Sequence, residues 1–496
     1  IQDDDEPPPP PSFNVGGTVT GLEGTGLTLR DQQFLTFTPG NGEFTLSLPV
    51  ESGSTYEVTI TAQPTNPVQV CSITNGSGVV GNADVTDIRV TCVTPAPPGG
   101  LDPGFGNGSG IVSSTFGGDE TDMLVQPDGK ILMVGGSSSD FILARYNADG
   151  TIDQNFGGGD GLVTTDIAGG ADAAFAAALL SDGRIIVVGS ARVAGNDDFA
   201  VVRYEADGDV DTTFGTQGKT TTDFFGQRDR AFGVAAFPDD SIVVVGDAIV
   251  GGGNTDFAVA RYTAGGVLDA TFGGAGAGKV NTDIADRVDI AKNVVIEAGG
   301  TILVTGTITM GSSSALEHTG LARYTAAGVL DTSLGTDGTR SIPDLTLGEA
   351  LAVQGDGRIV LAGHAAVAGD RHFAVMRLNT DGAPDNNFGT AGLATIAFTT
   401  QDDYGRDVAI DAQGRILVSG QSSNLVNAAA DFAVARFTTA GVPDVSFDED
   451  GKFTVDFFDS GDSAENVAVQ ADGRILLGGF VTNGNAVRYG LARFFP

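Results

Sequence analysis

Short runs of alternating or continuous apolar residues, separated by glycine, asparagine, aspartate and proline, fill most of the chain. From residue 101 onward the runs follow one order, which is clearest in the copy that contains Asp182-Gly183. The first run ends at this turn pair. The second run is apolar on both faces (IIVVG, 185–189), and the third has an arginine near its end (DFAVVRY, 198–204). A glycine-rich loop and a fourth run complete the copy. Runs apolar on both faces are typical of strands covered on both sides. The pattern predicts four antiparallel strands per copy, with hairpin turns in which both residues of the Asp-Gly pair take positive φ.

The arginine of the third run marks the period of the repeat. Its seven positions span 348 residues at a mean spacing of 58: Arg145, Arg203, Arg261, Arg323, Arg377, Arg436 and Arg493. A repeat of this length without a helical pattern is typical of propellers and arrays. Four strands repeated seven times predict an all-β fold, a seven-bladed β-propeller over residues 101–496. Since the last copy ends after its third run, we expect residues 101–117 to supply the fourth strand and close the ring.

Three segments of different composition precede the repeats. Residues 1–11 (IQDDDEPPPPP) form an acidic, proline-rich leader, which predicts an extended spacer. Residues 12–94 contain about seven short alternating runs bounded by turn residues, which predicts an immunoglobulin-like or transthyretin-like β-sandwich. Residues 95–100 (PAPPGG) form a linker rich in proline and glycine.

The only two cysteines, Cys71 and Cys92, lie in the predicted sandwich. An even number of cysteines in an exported protein favours a disulfide, and with it the periplasm or the cell surface. Two free cysteines in the core are the alternative. A zinc site is disfavoured because this domain contains no histidine.

Two parts of the chain resemble known families. The stretch from GGTVTGLEGTG to ADVTDIRVTC, with its cysteine pair, resembles a sandwich module of Gram-negative surface lipoproteins. The order of VQPDGKIL, GG and DFILARY resembles that of kelch blades, and the motifs of nearly all of residues 101–496 resemble the delta-60 repeat family of bacterial exported proteins. The resemblance implies a propeller fold and an exported location, but no particular activity.

Charge limits the partners of the protein. The net charge is −37, from 63 acidic and 26 basic residues. Nucleic acids and anionic membranes require a basic surface, so we do not expect the chain to bind either. No apolar run approaches the ~20 residues of a transmembrane helix. We expect an extracellular protein, or one on the outer surface of a Gram-negative bacterium, with the periplasm as the alternative.

An aspartate follows the repeat arginine by eight residues in six copies, and Asp102 would serve the seventh across the ring closure. A buried guanidinium requires such a partner, because an unpaired buried charge is costly. Seven copies of one pair indicate structural ion pairs, not seven active sites. The expected pairs are Arg145–Asp153, Arg203–Asp211, Arg261–Asp269, Arg323–Asp331, Arg377–Asp385, Arg436–Asp444 and Arg493–Asp102.

Two turns after the repeat arginine resemble half of an EF-hand loop, because side chains with oxygen atoms alternate along them. The glutamate that completes such a loop is missing, and Asx turns explain the same residues without a metal. Calcium is the one cofactor considered. Its candidate ligands are Asn147, Asp149 and Asp153 in one turn, and Asp207, Asp209 and Asp211 in the other.

The sequence shows no nucleophile and base with catalytic spacing, and the chain has no tryptophan to stack on sugars. Our first hypothesis is a non-catalytic exported scaffold, which works in adhesion or assembles into a homo-oligomer or filament. Its partner would be a protein or polysaccharide at the cell surface. The alternatives are a calcium-stabilised propeller that binds a polysaccharide or another ligand, and a hydrolase or lyase with its site at the channel. Regular arginine spacing leaves no room for a catalytic insertion, so we do not expect an enzyme.

Overall fold

The computed structural model describes residues 10–65, 69–94, 98–117, 121–136, 140–274, 277–285, 287–310, 317–423 and 429–496. Most of the predicted leader therefore lies outside the described residues. The chain divides into two compact units, Ile1–Pro97 and Pro98–Pro496. No helix in the described ranges is long and apolar enough to cross a membrane.

The first unit is built from ten short strands. They are β1 (Ser12–Phe13), β2 (Val15–Thr20), β3 (Thr28–Asp31), β4 (Thr36–Phe37), β5 (Gly42–Thr45), β6 (Val50–Glu51), β7 (Thr55–Ala62), β8 (Val70–Thr74), β9 (Ser77–Val79) and β10 (Val85–Val93). They form two four-stranded sheets, in the orders β5-β2-β10-β8 and β4-β3-β7-β9, and the small pair β1-β6. Strands β2 and β10 are parallel.

Both four-stranded sheets of the first unit contribute to one core. Alternate residues of β10 are buried, as the period of two in a strand requires. Ile88 and Val90 from this strand pack in the same cluster as Leu29 and Val58 from the other sheet. The core therefore arises from the alternation that the sequence showed.

Cys71 in β8 and Cys92 in β10 lie directly opposite each other in the sheet. Their Cα atoms are 3.9 Å apart, and the two residues form a disulfide. Both side chains are buried in the core of the unit. The predicted bond is present, and the alternative of two free cysteines is wrong.

We expect reduction of this disulfide to destabilise the first unit alone. The bond closes a loop with a sequence separation of 21 residues. A loop of this size contributes about 3 kcal/mol by restricting the unfolded chain. Calorimetry with and without reductant should show the melting transition of the first unit shifted down and that of the second unchanged. A Cys71→Ser variant should reproduce the shift, whereas no shift in either sample would contradict the prediction.

The second unit contains 28 strands among its described residues and one 3₁₀ turn, Gly106–Gly108. The strands are β11 (Ile111–Ser113), β12 (Thr121–Val125), β13 (Ile131–Gly136), β14 (Phe141–Tyr146), β15 (Leu162–Thr165), β16 (Asp172–Leu179), β17 (Ile185–Val193), β18 (Asn196–Tyr204), β19 (Lys219–Thr222), β20 (Asp229–Ala236), β21 (Ile242–Gly251), β22 (Asn254–Tyr262), β23 (Lys279–Thr282), β24 (Asp289–Ile296), β25 (Ile302–Thr309), β26 (Glu317–Tyr324), β27 (Thr339–Ile342), β28 (Thr346–Val353), β29 (Ile359–Val367), β30 (Asp370–Leu378), β31 (Leu393–Ile396), β32 (Asp403–Ile410), β33 (Ile416–Ser423), β34 (Ala430–Phe437), β35 (Lys452–Val455), β36 (Ser463–Val469), β37 (Ile475–Asn483) and β38 (Ala486–Phe494).

These strands form four-stranded antiparallel sheets. Six of the sheets consist of four consecutive strands, and the last has the order β11-β38-β37-β36. The first strand of each sheet contacts the first strand of the next, and β36 contacts β12, so the sheets form a closed cycle. Strand β17 shows why its residues are apolar on both faces. Ile186 and Val188 pack against the following sheet, and Ile185 and Val187 pack against the preceding one.

The hairpin between the first two strands of a sheet differs from the predicted turn type. At Asp182-Gly183 only the glycine has positive φ, at +89°. Gly183 N donates to Leu180 O, and Leu180 N donates to Arg184 O. The loop therefore has three residues, a type I turn followed by a left-handed residue, and only that last residue needs positive φ. Where aspartate takes the place of this glycine, at Asp240, it has a φ of 60°.

The segment after the predicted linker completes the last sheet. Strand β11 pairs with β38, and Leu101 forms a bridge with Phe494. Phe495 N donates to Gly100 O over 2.9 Å. Phe105 is fully buried. This segment and the end of the chain thus make the turn that a continuous chain makes in the other sheets.

Candidate binding site in the central channel

The repeat arginine lies in the third strand of each sheet and links two sheets, as Arg203 shows. Its Nε atom lies 2.6 Å from Asp211 Oδ2, and its Nη1 atom donates to Ala264 O in the turn of the next sheet. The guanidinium also stacks on Phe214, 4.8 Å from the ring centroid. The contacts are those of a structural brace within the sheet and between sheets.

The expected partner is present in six copies. The shortest N–O distances are 2.7 Å for Arg145–Asp153, 2.6 Å for Arg203–Asp211, 3.4 Å for Arg261–Asp269, 2.8 Å for Arg377–Asp385, 2.8 Å for Arg436–Asp444 and 2.8 Å for Arg493–Asp102. The side chains of the Arg261–Asp269 pair are each 16% exposed, and this pair is the longest. It is therefore a weaker brace than the others.

Arg323 is the exception, and the expected pair with Asp331 is not formed. Its Nε atom lies 2.8 Å from Glu297 Oε2 instead. Glu297 directly follows β24, the first strand of the same sheet, and begins the hairpin turn, from which its side chain reaches the guanidinium. Asp331 instead accepts hydrogen bonds from Ser333, which lower the pKa of the aspartate. Arg323 still donates to Thr380 O in the next sheet.

The two turns of the calcium hypothesis use their oxygen atoms in local hydrogen bonds. Asp149 Oδ1 accepts from the amide and the hydroxyl of Thr151, and the Asn147 amide donates to the same hydroxyl. Asp207 Oδ1 accepts from the amide of Asp209. Asp153 and Asp211 pair with the repeat arginines. Among the described residues, the carboxylates close enough to share an ion lie elsewhere.

The first strands of the sheets formed by the described residues line a central cavity of about 560 Å³, which we call the channel. Six of the strands have a shift in register where they face it. Such a β-bulge adds an unpaired residue and redirects a side chain. The side chains at these shifts that line the channel are Phe175, Phe232, Lys292, Glu349, Arg406 and Glu465.

The channel wall has an aromatic side and a charged side. The ring centroids of Phe175 and Phe232 lie 5.0 Å apart. Lys292 Nζ lies 4.3 Å from the Phe232 centroid and 3.8 Å from Glu349 Oε1. Arg406 Nε lies 3.8 Å from Glu465 Oε1. Each ion pair is long and has partly exposed side chains, so exchanging it for another hydrogen-bond partner costs little.

Two further carboxylates line the channel and join neighbouring sheets. Asp122 Oδ2 accepts from Ala177 N over 2.7 Å, and Asp407 Oδ2 accepts from Val467 N over 2.9 Å. Burial, with a smaller effect of nearby acidic groups, raises the pKa of Asp407 to about 7. Their amide contacts assign both aspartates a role in holding the wall together.

Sequence reasoning missed the channel residues. A signal for them was present, since each follows a small residue near the start of its first strand: Ala174, Ala231, Ala291, Gly348, Gly405 and Ala464. The channel lining contains no histidine, serine or cysteine among the residues described. The wall can therefore offer an aromatic surface, cations and carboxylates to a ligand.

Six segments of the chain match the family model described as "Domain of unknown function (DUF5122) beta-propeller". The matched residues are 126–156, 180–214, 238–272, 354–388, 413–447 and 470–496. The repeats are β-propeller repeats. Each match spans the turn and the second and third strands of one sheet, and the first five also include the loop after the arginine, so the propeller assignment agrees with the sheet order.

No curated protein matches this chain. Solved structures that match this chain include the polysaccharide lyase PL25 ulvan lyase bound to -[GlcA(1-4)Rha3S]-, at 12% identity and a TM-score of 0.42, covering 76% of this chain and 95% of that one. PorZ, a bacterial surface component of the type-IX secretion system of Porphyromonas gingivalis, has 10% identity and a TM-score of 0.42. The match covers 92% of this chain and 54% of PorZ. Drosophila Semaphorin 2a has 7% identity and a TM-score of 0.43. The match covers 78% of this chain and 75% of the semaphorin chain. The propeller assignment depends on the family model and the sheet topology, not on these neighbours.

Proposed function

We propose that the chain is an exported, non-catalytic propeller that binds a polyhydroxylated, saccharide-like ligand in its channel. The observation that carries this proposal is the two-sided wall formed at the register shifts. Ligand sites typically combine an apolar surface with a few polar groups that fix orientation. The proposal therefore takes up the ligand-binding alternative of the sequence analysis in place of the first hypothesis, a scaffold that works in adhesion or assembly.

The aromatic side of the wall suits the apolar face of a sugar ring. Phe175 and Phe232 are both partly exposed to the cavity, and adjacent aromatic rings provide a rigid apolar surface at low conformational cost. The channel, with a volume of about 560 Å³, has room for one or two sugar units. Without tryptophan, this phenylalanine pair would be the stacking platform.

The charged side suits hydroxyl groups. Lys292 and Arg406 are donors, and Glu349 and Glu465 are acceptors. In their two ion pairs the side chains are 22–28% exposed and the charged atoms lie 3.8 Å apart. A ligand hydroxyl that inserts between such partners can bond to both, and the cost of loosening an exposed pair is small.

The proposal includes finer features of fold and location. We infer seven blades of the kelch-like, delta-60 type, and a first unit that is a sandwich of the kind found in surface lipoproteins. The Cys71–Cys92 disulfide supports an oxidising compartment, and we propose the outer surface of a Gram-negative bacterium. Assembly into filaments stays a prediction, because the leader that would mediate it lies mostly outside the described residues.

The test is binding of neutral and acidic oligosaccharides to the full chain, measured by glycan array and calorimetry. We expect at least one ligand, with affinity at least ~10-fold lower in Phe232→Ala, a change of about 1.4 kcal/mol. Phe225→Ala is the matched control, because Phe225 is 46% exposed and lies outside the channel lining. Equal binding by wild type and Phe232→Ala would contradict the proposal. Release of cleaved product would favour the hydrolase or lyase alternative.

A further inference from the structure

We propose that two groups of three aspartates between neighbouring sheets each bind a calcium ion. The Asp198 triad consists of Asp198, Asp223 and Asp229. The Asp140 triad consists of Asp140, Asp166 and Asp172. In each triad, one carboxylate oxygen from every member lies within 4.8 Å of the others. These are different residues from those of the EF-hand-like turns, and the inference does not depend on the proposed ligand of the channel.

The separation of the oxygen atoms fits one shared ion. Calcium binds oxygen at 2.3–2.6 Å, so two of its ligands lie at most about 5 Å apart. Carboxylates are ligands that calcium prefers, and waters can complete its coordination of six to eight oxygens. Three carboxylates in this arrangement provide three of those six to eight oxygens.

Each triad lies at the junction of two sheets. Asp198 belongs to β18, and Asp223 directly follows β19 in the same sheet, whereas Asp229 begins β20 of the next sheet. The Asp140 triad repeats this arrangement one sheet earlier, where Asp172 begins β16. An ion at either triad would therefore cross-link adjacent sheets at a point separate from the arginine brace.

The aspartate that begins the new sheet provides the second observation. Asp229 has 0% exposure. Its Oδ2 atom accepts from Phe224 N over 2.7 Å, and its Oδ1 atom has no hydrogen-bond partner in the described structure. Asp172 is 1% exposed; its Oδ2 accepts from Ile167 N, and its Oδ1 also lacks a partner. A buried carboxylate oxygen without a donor is costly, and a cation would satisfy it.

No basic side chain neutralises the Asp198 triad. Within the described residues, none of its three carboxylates forms an ion pair within 4.0 Å, although nearby Asp247 pairs with Arg228 and Arg230. The ammonium of Lys279 donates to the backbone carbonyl of Asp223, not to its carboxylate. Three carboxylates at this separation repel one another, and a divalent cation would remove that repulsion.

The chain contains its own comparison, at a junction where the triad is incomplete. There His372 and Ala397 stand in place of two aspartates, and only the third, Asp403, is kept. Asp403 Oδ1 accepts a hydrogen bond of 2.7 Å from the hydroxyl of Ser422, the residue opposite it. In the two proposed triads the residue opposite the buried aspartate is alanine, Ala248 opposite Asp229 and Ala191 opposite Asp172. The hydroxyl of Ser422 therefore takes the place at Asp403 that a cation would take at Asp229 or Asp172.

Calorimetric titration of the metal-free full chain with calcium chloride tests the proposal. We expect two ions per chain, and a rise in Tm of at least about 3 °C at saturating calcium. Asp223→Asn and Asp166→Asn each change the exposed aspartate of one triad and preserve the shape of the side chain. Each variant should bind one ion fewer than the wild type, and the double variant should bind neither ion. Asp229→Asn should also abolish one site and raise the Tm of the calcium-free protein, because it removes a buried charge.

The matched controls are Asp149→Asn and Asp207→Asn, in the EF-hand-like turns. Both should keep two ions per chain and the full shift in Tm. Absence of saturable calcium binding would overturn the proposal. It would equally be overturned if the triad variants kept two ions, or if the turn variants lost them.

Discussion

Replacing Arg203 with alanine should lower the free energy of unfolding by about 3–5 kcal/mol. The Arg203 side chain is 4% exposed and that of Asp211 is 2% exposed. The change removes one partner of a buried pair, a donor to Ala264 O in the next sheet and the cation that stacks on Phe214. Arg184 also contacts Asp211, but it is 23% exposed and lies at the rim, so it does not fill the space left behind.

Chemical denaturation of three arginine variants measures this effect. Arg261→Ala should cost less, about 1–2 kcal/mol, because its pair is longer and more exposed and approaches the behaviour of a surface pair. Arg192→Ala is the control: its side chain is 55% exposed and pairs with Asp197 at 3.5 Å, so about 0–0.5 kcal/mol is expected. The double variant Arg203→Ala/Asp211→Ala should lose less than the sum of the two single variants. Equal losses for Arg203→Ala and Arg192→Ala would show that the arginine is no brace.

The sequence predicted the features of the fold that depend on local pattern. Four strands per copy follow from turn residues and apolar runs, and the burial of both faces of β17 follows from the run IIVVG. The arginine pairs were predictable because the same spacing of eight residues recurs. Arg323 departs from the rule because Glu297, 26 residues earlier, competes for the guanidinium. A competing partner so distant in sequence has no signal in the spacing of a single motif.

The channel and the aspartate triads were not predicted, for two different reasons. A β-bulge is a property of two paired strands, so one strand alone shows only the small residue before Phe232 or Arg406 and not the register shift that directs these side chains into the channel. The members of the Asp198 triad lie 25 and 6 residues apart in the sequence, and they meet only because two sheets pack side by side. The EF-hand-like turns are visible in the sequence because their oxygens are close along the chain, but closeness in sequence favours local hydrogen bonds over a shared ion.

Deleting residues 101–116 should leave the last sheet with three strands and cause the protein to aggregate. The deletion removes β11, which pairs with β38, and it also removes Asp102, the partner of Arg493. Strand β38 would then expose a row of unpaired amides and carbonyls, and such an edge pairs with other chains. Size-exclusion chromatography with light scattering should show oligomers in place of the wild-type species. A wild-type elution profile and melting temperature would contradict a closing role for this segment.

A point variant separates ring closure from a general folding defect. Phe105 in the closing segment is 0% exposed and lies 4.6 Å from the Arg493 guanidinium. Phe214 within a continuous repeat is 1% exposed and lies 4.8 Å from that of Arg203. Phe105→Ala and Phe214→Ala should therefore each lose about 3–5 kcal/mol, the usual cost of truncating a buried phenylalanine. If Phe105→Ala costs less than ~1 kcal/mol while Phe214→Ala costs the full amount, the segment is only loosely attached. Similar losses in both would mean that the joined ends of the ring are packed as firmly as its continuous repeats.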